Sequence, residues 1–273
     1  MLRDITIGQY FPIASPIHRL DPRVKLVLTV LYIVALFLPK TWVGLALAVV
    51  LLGAAYALAR IPFKMVVKSV RPILLLVTIT AALGLFYNKE GAVLFQWWIF
   101  TVTDIGLAKT VFVIVRILCL IVGSSLLTYT TTPTALTDAI ERLLSPLKVV
   151  RLNVHELAMM MTIALRFIPT LIEETDKIMS AQKARGADME SGNVIQKAKS
   201  LIPILIPLFV SAFRRADELA LAMECRCYHG GEGRTRMKQL KLSGKDLGAA
   251  LFVALGFAAV ILMNMFGPEV FRL

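Results

Sequence analysis

Long apolar runs separated by short charged stretches fill the first half of the chain. They then give way to segments that begin apolar and end charged. Four runs without a charge, Thr41 to Ala59, Pro72 to Asn88, Ile117 to Thr137 and Leu247 to Pro268, are 17 to 22 residues long. A helix needs roughly 20 residues to cross about 30 Å of hydrocarbon, so these runs predict four membrane spans. A fifth span, Val24 to Pro39, is shorter and carries Lys25 near its start, where a long side chain can snorkel to the headgroups. Asp21 and Pro22 stand where an N-cap and a first helical residue belong. The uncharged stretch Gly91 to Thr103, with the pair Trp97-Trp98, is too short to cross and predicts an interfacial segment on the outer side.

From Thr132 to Lys245 three helical segments are readable. Thr134 to Lys148 is the first. Asn153 to Arg185 is the second, with Asn153 as N-cap and Gly186 as stop; Asn193 to about Tyr228 is the third, followed by Gly230-Gly231. Ser200 to Phe213 has no charge but holds Pro203 and Pro207, so it should bend and lie in the interface or pack on another apolar protein rather than cross. The organisation expected is residues 1–131 as an N-terminal segment with four spans, 132–245 as a cytoplasmic domain of three helices, and 246–273 as a last span. This is an all-α membrane protein with about five transmembrane helices.

Composition agrees with a lipid environment: 58% of the 273 residues are hydrophobic and 18% charged, with mean hydropathy +0.75, well outside the usual soluble range. The net charge of +12 is unevenly placed. Residues 1–25, the loop 60–71 and the stretch 132–245 hold 25 of the 30 lysines and arginines, which puts the N-terminus and the helical domain in the cytoplasm and the C-terminus outside the cell membrane. Nucleic acid is excluded as a partner because the basic residues are interleaved with acids and anchored at a bilayer. No cleavable leader is visible at the start, and Cys119, Cys225 and Cys227 make no disulfide framework.

The second and third helices of the domain end in one pattern. Asp176 to Gly186 and Asp217 to Cys227 both read Asp, four residues, Ala, two residues, small, Arg, small, with Arg185 and Arg226 41 positions apart. An arginine in a last helical turn, flanked by Ala184 and Gly186 or by Cys225 and Cys227, can reach past the helix end, and its guanidinium can bind carboxylates or carbonyls bidentately. A single such arginine would be explained by the helix dipole alone; two in one frame point to a docking device.

At these residues the chain resembles the transmembrane T component, EcfT, of energy-coupling factor transporters within the ABC superfamily. Three blocks carry the likeness: Gly8-Gln9-Tyr10 with Ser15, His18, Leu20, Asp21-Pro22-Arg23 and Lys25-Leu26; Arg166-Phe167-Ile168-Pro169-Thr170 through Ala184-Arg185-Gly186; and Arg214-Arg215-Ala216-Asp217-Glu218 through Cys225-Arg226-Cys227-Tyr228. The resemblance implies that Arg185 and Arg226 each enter a groove on one of two cytoplasmic ABC ATPase subunits. The domain would pass the effect of ATP hydrolysis to a membrane-embedded, substrate-binding S component, with vitamins or transition-metal ions as usual cargo. The N-terminal block looks like that of T components shared among several S components. The cysteines around Arg226 depart from the family's Ala-Arg-Gly.

Met159, Met160 and Met161, together with Ile204, Pro207 and Phe209, are the candidates for the S-component face, because flexible thioethers and exposed apolar groups suit variable partners. No G-x-x-x-x-G-K-[ST] occurs, so ATP and Mg²⁺ are expected on the partner ATPases and no cofactor on this chain. Cys225, Cys227 and His229 lack zinc spacing, and His155, Glu156, Glu173, Glu174 and Asp176 have no matching nucleophile. Arg116 is expected at membrane depth, ordering the bundle. An integral membrane enzyme or a scaffold for soluble proteins are the rival readings; the former would need an acidic metal motif that the sequence lacks.

Overall fold

In the computed structural model, residues 10–39, 41–87, 92–97, 100–146, 153–187, 193–230 and 242–266 are described. The protein is an all-α membrane protein with one small hairpin. Its helices are α1 (Pro22–Phe37), α2 (Trp42–Ala59), α3 (Phe63–Val70), α4 (Leu74–Tyr87), α5 (Asp104–Thr130), α6 (Pro133–Leu144), α7 (Val154–Ala184), α8 (Val194–Cys225) and α9 (Gly244–Phe266). Strands β1 (Val93–Trp97) and β2 (Phe100–Thr103) pair antiparallel, so the expected interfacial segment is a hairpin; the side chains of Trp97 and Trp98 lie outside the described residues.

Five helical stretches among the described residues are long and apolar enough to cross a bilayer: Trp42–Ala59, Phe63–Tyr87, Asp104–Thr130, Val154–Ala184 and Gly244–Met263. The number equals that expected, but the membership differs. Helix α1 has 16 residues, about 24 Å at 1.5 Å per residue, and falls short by length. It is nonetheless a bundle member, packed against α5 and α9. Helix α7 qualifies through its apolar first half, whereas the sequence reading assigns it to the cytoplasmic domain.

Residue contacts divide the chain into two compact units. One holds α1 to α5 and α9. Its core is Leu36, Leu45, Ala48, Leu52, Tyr56, Phe112, Cys119 and Tyr129. Asp21 caps α1 by accepting from the Arg23 amide, with Pro22 at the first helical position, as the sequence predicts. At Gly123 a Cβ would come within 2.4 Å of the Tyr32 ring, so α1 and α5 touch there only because glycine has no side chain.

Helix α5 begins at Asp104, with the Thr103 hydroxyl accepting from the Gly106 amide. This is well before the charge-free run that starts at Ile117, because Arg116 is accommodated inside the bundle. Its NH2 group donates to the Pro39 carbonyl at 2.6 Å, and its guanidinium carbon lies 4.7 Å from the Phe112 ring centroid. Arg116 thereby joins α5 to the α1–α2 connection. The helix also ends earlier than the apolar run, at Thr130; Thr131 is extended and Pro133 opens α6.

The snorkelling expected of Lys25 is not seen. Lys25 is 6% exposed, and its Nζ donates to the Thr130 carbonyl at 2.9 Å and the His18 carbonyl at 3.1 Å. The physical reason is the end of α5, whose last carbonyls have no intrahelical donor: Lys25 takes that of Thr130, and the Phe11 amide takes that of Tyr129 at 3.0 Å. The Asp246 carboxylate in α9 accepts from the Asp21 amide at 2.8 Å and from the Ser243 amide at 2.7 Å. His18 donates from Nε2 to the Phe11 carbonyl at 2.9 Å. Its Nδ1 is therefore the acceptor for Ser15 Oγ at 2.7 Å. Burial lowers the His18 pKa below its ordinary value. Burial alone would raise the Asp21 carboxyl, but the Arg23 hydrogen bonds and charge outweigh it and hold that group low. The block Ser15, His18, Asp21, Arg23 and Lys25 thus ties three helix ends together.

Candidate functional site

The second unit contains α7 and α8, which pack against each other. Glu174 of α7 accepts from Ser211 Oγ of α8 and, at 2.8 Å, from Arg215 NH2. About two turns of α7 further on, Gln182 Nε2 donates to the Pro203 carbonyl of α8 at 3.4 Å. That carbonyl would normally bond the amide four residues on, but residue 207 is proline and has no N–H. The Gln182 amide takes its place. Both prolines lie inside an unbroken helix of 32 residues. The capping box of Asn193 and Gln196 starts that helix, whereas Asn153 at the head of α7 makes no capping bond and donates instead to Glu156 at 3.1 Å. His155 Nδ1 and Glu141 Oε1 of α6 are 3.1 Å apart, so two of the candidate acid–base groups, His155 and Glu174, serve interhelical contacts.

These pairings make α7 and α8 antiparallel where they touch, and their C-termini point to opposite ends of the pair. With that register and a rise of about 1.5 Å per residue, straight helices put the two tips roughly 40 Å apart.

The tips themselves share one geometry. At α7, Arg185 is the C-cap, Gly186 follows at φ +86°, the Gly186 amide bonds the Lys183 carbonyl at 3.0 Å and the Ala187 amide bonds the Gln182 carbonyl at 3.0 Å. At α8, Arg226 is the C-cap, Cys227 follows at φ +55°, and the Cys227 and Tyr228 amides bond the Glu224 and Met223 carbonyls at 2.8 and 3.0 Å. Each is a Schellman motif. The residue after each arginine is therefore chosen first for left-handed backbone. Around Gly186 a Cβ would meet nothing within 4 Å, so within this chain the glycine answers to conformation and not to space. Ala184, Arg185 and Gly186, like Cys225, Arg226 and Cys227, are exposed, and neither guanidinium bonds another described residue.

Cysteine in the left-handed region costs about 1 kcal/mol relative to glycine. Cys227→Gly should slow hydrogen exchange of the amides at 227 and 228 by about two- to fivefold, while Gly186→Ala should speed exchange at 186 and 187 by a similar factor. Unchanged exchange in both variants would remove the conformational account of the motif.

Along the helices behind the tips, Met160 and Met161 are exposed at 54% and 45%, and Phe209 at 60%. Pro207 is exposed and Met159 half-buried. Ile204 departs from the expectation of a partner-facing position: it is 3% exposed, on the packed side of α8. The apolar face is continued instead by Leu201, Ile202, Leu205, Ile206, Val210 and Phe213, which the periodicity of the charge-free run contains but which the reading of single positions missed. Such a continuous exposed apolar surface marks an interaction with lipid or protein.

The model of the cobalt transport protein family, CbiQ, matches residues 14–237. Among relatives, the energy-coupling factor transporter transmembrane protein EcfT of Clostridium kluyveri is 55% identical over 92% of this chain and 93% of its own length. The protein of the same name in Thermosediminibacter oceani is 54% identical over 95% and 97%, and that of Bacillus subtilis is 48% identical over 90% and 93%. The family match takes in both helix-tip arginines and Ser15 to Lys25 of the N-terminal polar block, and the chain belongs to the CbiQ/EcfT family, the transmembrane components of energy-coupling factor transporters.

Proposed function

We propose that this chain is the non-catalytic coupling subunit of its transporter, in which Arg185 and Arg226 each plug into one of two cytoplasmic ABC ATPase subunits. The ATPases bind ATP and Mg²⁺; this chain carries neither. The exposed apolar face around Met160, Met161, Pro207 and Phe209 meets a membrane-embedded, substrate-binding S component, and motion of the ATPases reaches it through the α7–α8 pair. The N-terminus and coupling helices lie in the cytoplasm and the C-terminus outside. Cargo is a micronutrient, a vitamin or a metal ion, chosen by the S component.

The observation that carries this reading is the same Schellman cap at two tips that point to opposite ends of one clasped, antiparallel pair of helices. Two separated, structurally equivalent arginines suit two copies or homologues of one kind of partner. The Glu174 contacts to Ser211 and Arg215 let the pair move as one body. Affinity purification of the full-length chain from its host tests the proposal. Two ATPase subunits and a small hydrophobic protein should be recovered with it; recovery of the chain as an active enzyme without them would overturn it.

A further inference from the structure

Between α1, α2, α5 and α9, closed on one side by Pro16, Ile17 and Leu20, lies a cleft of about 500 Å³. Its walls are almost wholly apolar, and it runs down α9 from Lys245 past Gly248 to Val260, some four turns of helix. Apart from Tyr32, about two turns of α1 further in from Lys25, its polar side chains lie towards the Lys245 end. The Thr29 and Thr130 hydroxyls there already donate to carbonyls of their own helices, at 2.8 Å each. What remains for an occupant at that mouth is positive charge. Lys245 is exposed, and Lys25, which spends two N–H groups on the Thr130 and His18 carbonyls, has a third. The neighbouring acids are engaged: Asp21 holds Arg23 at 2.9 Å, and Asp246 accepts two backbone amides.

A slot with a dry body several turns deep, two ammonium groups at one end and a bilayer around it matches one class of ligand. We infer that the cleft binds an anionic phospholipid, with an acyl chain between α1, α2 and α9 and its phosphate at Lys245 and Lys25. The mouth lies at the end of the bundle where positive charge gathers, which in the orientation proposed above faces the inner leaflet and its anionic lipids; basic pockets between spanning helices on that side are a known form of headgroup recognition. The phospholipid would fill a void in the bundle beside the clasp of Asp21, Lys25 and Asp246, and so support the α1–α5–α9 contact.

The test uses the full-length chain, with whatever partners remain bound, reconstituted in vesicles of phosphatidylcholine alone or mixed with phosphatidylglycerol. After extraction, retained lipids are counted by native mass spectrometry. One phosphatidylglycerol should be retained in preference to phosphatidylcholine, and Lys245→Glu should cut that preference by about tenfold. Gly248→Leu should abolish retention by filling the slot. A Cβ at 248 meets nothing within 4 Å and leucine favours a helix, so this variant folds. Equal retention of both lipids, retention unchanged by Gly248→Leu, displacement by inorganic phosphate alone, or a crosslinker at 248 capturing a polypeptide in place of lipid would each overturn the inference. None of these readouts requires ATPases, so they stand apart from the copurification test of coupling.

Discussion

Arg185→Glu combined with Arg226→Glu is expected to strip the ATPase subunits from the membrane complex and abolish substrate uptake, while the protein still inserts and folds. Both side chains are exposed and bonded to no described residue, so the change costs the folded chain only the helix-dipole contribution, about 0.3–1 kcal/mol at each tip. At a partner surface the arithmetic differs. Truncating an interface arginine at a hot spot costs about 2 kcal/mol or more, and each 1.4 kcal/mol is about tenfold in affinity. Reversing the charge adds repulsion from whatever carboxylates or carbonyls had held the guanidinium. Each single variant should therefore weaken attachment of one ATPase by about 30-fold, and the double variant should release both. Copurification and vesicle uptake read the two effects separately. Normal uptake by the double variant would refute the assignment of these tips, and selective loss of one subunit by each single variant would support two separate docking points.

Lys25→Met should give the largest loss of stability in the bundle. Its ammonium supplies the Thr130 and His18 carbonyls. Methionine keeps the bulk but leaves two buried acceptors without a donor, at about 1–3 kcal/mol each. A total near 3 kcal/mol lowers a melting temperature by about 6–12 °C for a domain of this size. Thermal unfolding in detergent measures it. A lysine reaching to the headgroups would predict no change at all, so an unaltered midpoint would return Lys25 to that role. Lys25→Glu should be worse, since a carboxylate facing two carbonyls adds an unpaired buried charge.

Several features are legible without coordinates because they are local. The N-cap Asp21 and Pro22, the stop at Gly186, the start at Asn193 and the cores of α2, α4 and α9 follow from capping chemistry and unbroken apolar length. The repeat around Arg185 and Arg226 is equally visible. Its cause is less so: small flanking residues suggest access to a groove, but the positive φ of Gly186 and Cys227 shows that helix termination imposes the first constraint. Where charge interrupts an apolar run, reading by composition fails in both directions. It begins α5 too late, because Lys109 and Arg116 break the run, and carries it past Thr130, because threonines do not. It also places Ile204 at a surface, since burial on a helix depends on which face its neighbour covers.

The chain's own residue order determined that it lives in a membrane, where most of its helices begin and end, and that two helices finish in matched arginines, because each of these rests on groups within a turn or two of one another. Folding decided which polar groups meet. Lys25 finds the end of α5 across 105 positions, Asp246 finds the head of α1 across 225, and Glu174 joins α8 through Ser211 and Arg215. A buried donor must take the nearest unsatisfied acceptor in space, and only the packed helices specify which one that is.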